Sequence, residues 1–170
     1  MNYDEVIAVN EQDEILEYLD KMEAHKKGIL HRAISVFIFN SQGQWLLQQR
    51  ASGKYHSEML WTNASCTHPM KGESNEAAAS RRLWEEMGIK AELTKVFSFI
   101  YRAELDNELV ENELDHIFVG FSDSLPQPDS NEVHDFKYIS TEDMDKEMKL
   151  HPELFTEWFK LLVPKVKEKI

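Results

Sequence analysis

The stretch "WTNASCTHPMKGESNEAAASRRLWEEMGI", Trp61 to Ile89, decides how this chain of 170 residues is read. Its second half has the local chemistry of a helix. Ser74 can cap the free N–H groups of a first turn, Glu76 lies in that positive turn, Leu83, Trp84 and Met87 recur at helical spacing, and Gly88 suits a left-handed stop. Its first half holds the chain's only cysteine, Cys66, two residues before His68. In an extended segment such a spacing turns thiol and imidazole toward the same side. An isolated Cys-x-His is more often inert and buried, so the surrounding sequence has to decide.

Outward from this helix, strand and helix patterns alternate irregularly. Upstream, "HRAISVFIFN" and "WLLQQRA" are apolar, β-branched or aromatic runs that read as paired strands joined by the glycine-containing turn "SQGQ". Earlier still, "DEILEYLDKMEAHKKG" reads as a helix. Downstream, "ELTKVFSFIYRAEL", "ENELDHIFVGFSD" and "EVHDFKYIS" read as strands, and "TEDMDKEM" and "PELFTEWFKLLVPKVKEK" as helices, the last ending near Pro164. The mixture implies an α+β fold, a mixed sheet with helices covering its faces. With 42% hydrophobic residues, five prolines and no repeat or linker-like tract, residues 1–170 are expected to form a single domain.

Charge and cysteine usage narrow the function classes. A formal net charge of -12 opposes general attraction to nucleic acid or anionic membranes, so neither is expected as a partner. A single cysteine cannot form an internal disulfide, and the opening residues lack a basic, then apolar, leader. The expected setting is soluble, reducing and cytoplasmic.

Three further clusters change the odds on Cys66. "ENE" places Glu111 and Glu113 on one face of a strand, where their repulsion is costly unless a cation or proton intervenes. In "HKKGILH", a turn at Gly28 can bring His25 and His31 to one point. With His68 these supply three nitrogens and at least two oxygens, a set suited to zinc, manganese or magnesium without choosing among them. The remaining histidines, His56, His116, His134 and His151, lack a matching pattern and read as structural or surface residues. Lys21, Arg50, Lys54 and Arg82 are sparse cations in an acidic chain that could hold a diphosphate, with Glu86 holding a bridging magnesium ion.

The segment "GESNEAAASRRLWEEMGI" resembles a degenerate Nudix box, whose pattern is G-x5-E-x7-R-E-U-x-E-E-x-G-U with U aliphatic. Glu73, Arg81, Leu83, Glu85, Glu86, Gly88 and Ile89 match; Thr67 stands at the first glycine and Arg82 at the glutamate after the arginine. With "WTNASCTHP", "YRA" and "ENE" in order, the chain is similar to the type 1 isopentenyl-diphosphate isomerases, from about Val6 through Phe121 and more weakly at "FTEWF". The resemblance implies a Nudix-like α/β/α sandwich. It implies Cys66 and Glu113 as the acid/base pair with Tyr101 assisting, and His25, His31, His68, Glu111 and Glu113 as ligands of a first divalent metal. Glu86 and the main-chain carbonyl of Cys66 would hold magnesium on the diphosphate, which Lys21, Arg50, Lys54 and Arg82 would contact. Trp61 and Trp158 would line the isoprenoid pocket of a monomer or weak homodimer. Two other readings stay open: a Nudix hydrolase of nucleoside or other diphosphates, and a catalytically silent Nudix-like binding module.

Overall fold

A computed structural model describes residues 4–170. Nine strands form one mixed sheet: β1 (Glu5–Val9), β2 (Ile15–Asp20), β3 (His31–Phe39), β4 (Trp45–Arg50), β5 (Trp61–Thr62), β6 (Ser65–Thr67), β7 (Thr94–Glu104), β8 (Val110–Phe121) and β9 (Val133–Ile139). Four α-helices accompany them: α1 (Lys21–Lys27), α2 (Asn75–Met87), α3 (Thr141–Leu150) and α4 (Glu157–Lys167). No helix among the described residues is long and apolar enough to cross a membrane.

β3 is the hub. Along one edge it pairs in parallel with β8 over its full length, from His31↔Glu113 to Phe39↔Phe121. The opposite edge is shared by β1 at His31, β6 at Ile34 to Val36, and β4 at Phe39. Period-two alternation sorts the side chains of β3 and β8 onto two faces. Ile34, Val36, Ile38 and Phe118 pack on Ala78, Ala79, Leu83 and Met87 of α2. Phe37, Phe39, Ile117 and Val119 pack on Trp158, Phe159, Leu162, Val163 and Val166 of α4 and on Met144 of α3. The result is the expected α/β/α sandwich.

α2 forms as its sequence dictates. Ser74 Oγ accepts from Ala77 N, and Gly88 closes the helix at φ 64°, ψ 29° with its N–H on Trp84 O. Trp84 departs from expectation: it is 53% exposed, one position round from buried Leu83, with Lys90 Nζ 4.8 Å from its ring centroid. Two other expectations also need correction. Ile15–Asp20 is a strand, because pairing with β1 buries Leu19, and helix α1 begins only where Asp20 accepts from Glu23 N. β3 and β4 pair across their turn as expected, at Phe39↔Trp45, and β4 finds its long partner in β9. α4 continues through Pro164 to Lys167. Pro164 is on the exposed side, where water can serve the carbonyl it leaves unpaired, while Val163 and Val166 bury their side chains against the core.

Gly88 supports a specific stability prediction. A Cβ there would lie 2.8 Å from Gln127 O and 2.9 Å from Gln127 Cβ, on a backbone that disfavours L side chains. Gly88→Ala is expected to cost at least about 1–3 kcal/mol, read as a lowered urea midpoint at unchanged m. An unchanged midpoint would show that the Gln127 loop moves aside at no cost.

Candidate active site

The α4-facing side of β3 and β8 changes character along its length. At its C-terminal half it is apolar; at its N-terminal half it carries His31 and Ser35 from β3 and Glu111, Glu113 and Asp115 from β8, all buried. Between these strands, α2 and α4 lies a cavity of about 610 Å³. Its wall includes Cys66, His68, Tyr101, Glu111 and Glu113 together with Lys21, Arg50, Lys54, Arg82 and Glu86. These ten sequence-nominated residues and Trp158 therefore meet in one place.

The histidines converge as the Gly28 turn allows. Gly28 ends α1 at φ 67°, and the rings of His25 and His31 lie 5.0 Å apart, with His68 5.0 Å from His31 and 5.8 Å from His25. Two tautomers follow from hydrogen bonding. His25 Nδ1 lies 2.7 Å from Lys21 O and His31 Nδ1 lies 2.8 Å from Ile29 O. Carbonyls only accept, so each Nδ1 carries the proton and each Nε2 presents a lone pair. Both Nε2 atoms are buried without a hydrogen-bond partner among the described residues. Burial pushes all three imidazoles toward the neutral form, and neighbouring histidines add to it for His31 and His68.

The carboxylates face them. Glu113 Oε1 lies 3.8 Å from His31 Nε2 and 3.6 Å from His68 Nε2, beyond hydrogen-bond reach. Glu111 Oε1 accepts from Tyr101 Oη at 2.5 Å, and its Oε2 is buried without a partner. Burial raises both carboxyls, and each is raised further by a neighbour, Glu111 by Glu113 and Glu113 by Asp115. One ligand atom each from His25, His31, His68 and Glu113 falls within a common 4.8 Å. Orphaned lone pairs facing crowded acids are what a divalent cation relieves, so the donor set fits such an ion.

Cys66 is held by Asn63, which is fully buried. Asn63 Nδ2 donates to Cys66 Sγ at 3.3 Å, to Ser65 O at 2.8 Å and to Val36 O at 3.1 Å, and Asn63 Oδ1 accepts from Trp158 Nε1 at 3.2 Å. Burial, then Asp115 and Glu86, pushes the thiol well above its ordinary range, so it stays protonated.

The box glutamates are occupied by arginines. Arg81 donates to Glu73 at 2.7 and 3.0 Å and to Glu85 at 3.1 Å. Arg82 reaches Glu86 at 2.9 Å and Glu132 at 2.9 Å, and Glu132 also holds Lys54. The second oxygen of Glu86 accepts from Gln48 Nε2 at 2.8 Å. Lys21 Nζ lies 4.6 Å from the Tyr55 ring centroid, and Arg50 5.4 Å from that of Trp158.

One expectation fails on geometry. Trp61 does not line the cavity: its strand pairs with Gln49, and its ring lies beneath Lys137 Nζ at 4.4 Å. His56, expected as a structural or surface residue, is buried at the cavity wall beside His25. His116, by contrast, does face away, with Nε2 3.2 Å from Asp13 Oδ2, and His134 and His151 are exposed. Sequence reasoning missed Asp115, Asn63 and Glu132. Asp115 continues the same alternation as Glu111 and Glu113, a signal that was available; Asn63 and Glu132 act through contacts across the fold.

Comparison with known proteins agrees with this geometry. A family model described as NUDIX domain matches residues 29–159. The isopentenyl-diphosphate Delta-isomerase of Pectobacterium atrosepticum is 48% identical over 162 residues, covering 95% of this chain and 90% of its own. That of Serratia proteamaculans is 49% identical over 154 residues, 91% of this chain and 86% of its own. Among solved structures, a Deinococcus radiodurans protein shares the fold with a TM-score of 0.71 at 18% identity, covering 86% of this chain and 89% of its own. Identity of this extent, along nearly the whole of both chains, establishes that the protein belongs to the isopentenyl-diphosphate Delta-isomerase family and is built on a NUDIX domain.

Proposed function

We propose that this chain interconverts isopentenyl diphosphate and dimethylallyl diphosphate, the reaction for which its relatives are named. The observation that carries the reading is a thiol, Cys66, sharing a small cavity with a buried carboxyl, Glu113, and with four cations, Lys21, Arg50, Lys54 and Arg82. A proton added at C4 turns the C3=C4 alkene into a tertiary, carbocation-like centre at C3. A proton lost from C2 then forms the C2=C3 alkene. Two acid/base groups facing the allylic carbons suffice, and in the reverse direction they exchange roles.

In this reading Cys66 and Glu113 move the two protons, and Tyr101, hydrogen-bonded to Glu111, assists delivery. A divalent ion held by His25, His31, His68, Glu111 and Glu113 would supply fixed positive charge that offsets the buried acids and tunes Glu113. The imidazole-rich set favours zinc over magnesium there, with manganese tolerated. Glu86, with the Cys66 carbonyl, would hold magnesium on the diphosphate, whose oxygens Lys21, Arg50, Lys54 and Arg82 contact. Glu132 aims Lys54 and Arg82 at the cavity. Trp158 gives an aromatic wall that tolerates positive charge without attacking it. All these groups come from one chain, so the reading requires a single catalytic domain and no partner subunit. A free catalytic thiol suits the reducing cytoplasm.

The hydrolase alternative is weaker, because a hydrolytic box gathers metal on its glutamates. Here Arg82 stands at one of those glutamate positions and pairs with Glu86 and Glu132, and the hydrolase reading leaves Cys66 and the histidine set without a role.

Purified protein with magnesium and isopentenyl diphosphate is expected to yield dimethylallyl diphosphate. Release of phosphate or of an isoprenoid monophosphate instead would overturn the reading. Cys66→Ala is expected to lower kcat by about 10²–10⁴-fold while keeping the His/Glu-bound metal, whereas His68→Ala is expected to lose metal. Metal analysis and turnover on the folded variants check both; near-normal turnover in Cys66→Ala would remove the thiol from the mechanism. Arg82→Glu, which restores the general box, is expected to raise KM and create no hydrolysis, and unchanged isomerase kinetics would reduce Arg82 to a salt-bridge partner.

A further inference from the structure

His56 has a geometry that the ligand set named so far does not use. It is 3% exposed, and its ring lies 5.5 Å from that of His25. His56 Nε2 is 3.7 Å from Glu111 Oε2, the buried oxygen with no hydrogen-bond partner among the described residues. That separation is too long for a hydrogen bond and short enough for two donors to one ion. Single ligand atoms of His25, His56 and Glu111 lie within 4.8 Å of one another, a second group that meets the His25, His31, His68 and Glu113 group at His25.

The shared residue decides how the groups relate. Because His25 Nδ1 is committed to Lys21 O, only Nε2 can ligate, and its one in-plane lone pair serves one ion. The two groups therefore cannot hold two ions at once, and an ion that serves both would draw their donors, which lie in two groups, together at His25. The backbone holds His56 toward it. The ring's Nδ1 is 3.0 Å from Ser57 Oγ, Arg50 Nη2 donates to His56 O at 3.2 Å, and Ser57 N donates to Asp106 Oδ1 at 3.2 Å. Ser57 and Met59 sit at φ 53° and 63°, a left-handed conformation that costs a non-glycine residue about 1–3 kcal/mol each.

We propose that His56 is a ligand of the first metal, so that four imidazoles (His25, His31, His56, His68) and two carboxylates (Glu111, Glu113) close its coordination and leave no place for water. Four neutral imidazoles and two carboxylates balance a divalent charge, as a buried site requires. An ion without bound water cannot generate hydroxide, which suits a cavity where a carbocation-like carbon must escape quenching. The inference rests on the metal-site reading above, and its test separates the two.

The probe is Mn²⁺ alone, added to metal-stripped wild type, His56→Ala, His56→Phe and His31→Ala, each checked for folding by circular dichroism. His56→Phe keeps an aromatic ring against His25 and Trp158 without a donor atom, so the test survives if the alanine variant unfolds. Wild type is expected to bind one Mn²⁺ per chain with no water-proton relaxation enhancement from inner-shell water. His56→Phe is expected to bind at least about tenfold more weakly and to gain relaxation per bound ion as water enters the opened position. Affinity and relaxation equal to wild type in His56→Phe, with binding lost in His31→Ala, would overturn the role of His56 alone. Failure of wild type to bind, or full binding in His31→Ala, would overturn the metal-site reading and this inference together.

Discussion

The parallel pairing of β3 with β8, in the register that sets His31 opposite Glu113, is the constraint on which the rest depends. Strand side chains alternate, so a slip by one residue would turn Glu111, Glu113 and Asp115 toward α2 and leave three carboxylates in an apolar layer. The register is fixed from the other half of the same strands, where Phe37, Phe39, Ile117 and Val119 must meet α4. Hydrophobic packing at one end thus pays for acid crowding at the other. Ser35 Oγ, donating to Asp115 Oδ2 at 2.7 Å, marks the boundary between the two.

Within the cavity, acidic and imidazole groups share the wall with four cations: Glu111, Glu113 and His68 line it together with Lys21, Arg50, Lys54 and Arg82. Asn63 couples the two halves of the wall: the same amide that donates to Cys66 Sγ accepts from the Trp158 indole. The Cys66 thiol and the Trp158 indole are therefore positioned by one buried residue.

Much of this was legible in the sequence because it is local. The α2 caps at Ser74 and Gly88, the shared face of Glu111 and Glu113, and the turn that folds His25 onto His31 all follow from spacing. What was not legible depends on partners distant in sequence. Ile15–Asp20 became a strand only because β1 pairs with it, and α4 runs through Pro164 because Val163 and Val166 have a core to enter. The resemblance nominates both Trp61 and Trp158 for a pocket, but β5 pairing turns the first away from the cavity while α4 carries the second into it. His56 was dismissed because its partners, His25 and Glu111, are distant along the chain.

The central claim is that exchangeable protein groups add a proton at C4 and remove one at C2. Turnover of isopentenyl diphosphate in deuterium oxide, followed by proton and deuterium NMR of the product, tests it most directly. The expected result is dimethylallyl diphosphate whose C4-derived methyl carries solvent deuterium, with none appearing in an identical reaction lacking enzyme. Product formed at full rate without deuterium would mean direct hydrogen transfer from C2 to C4, and would contradict the account.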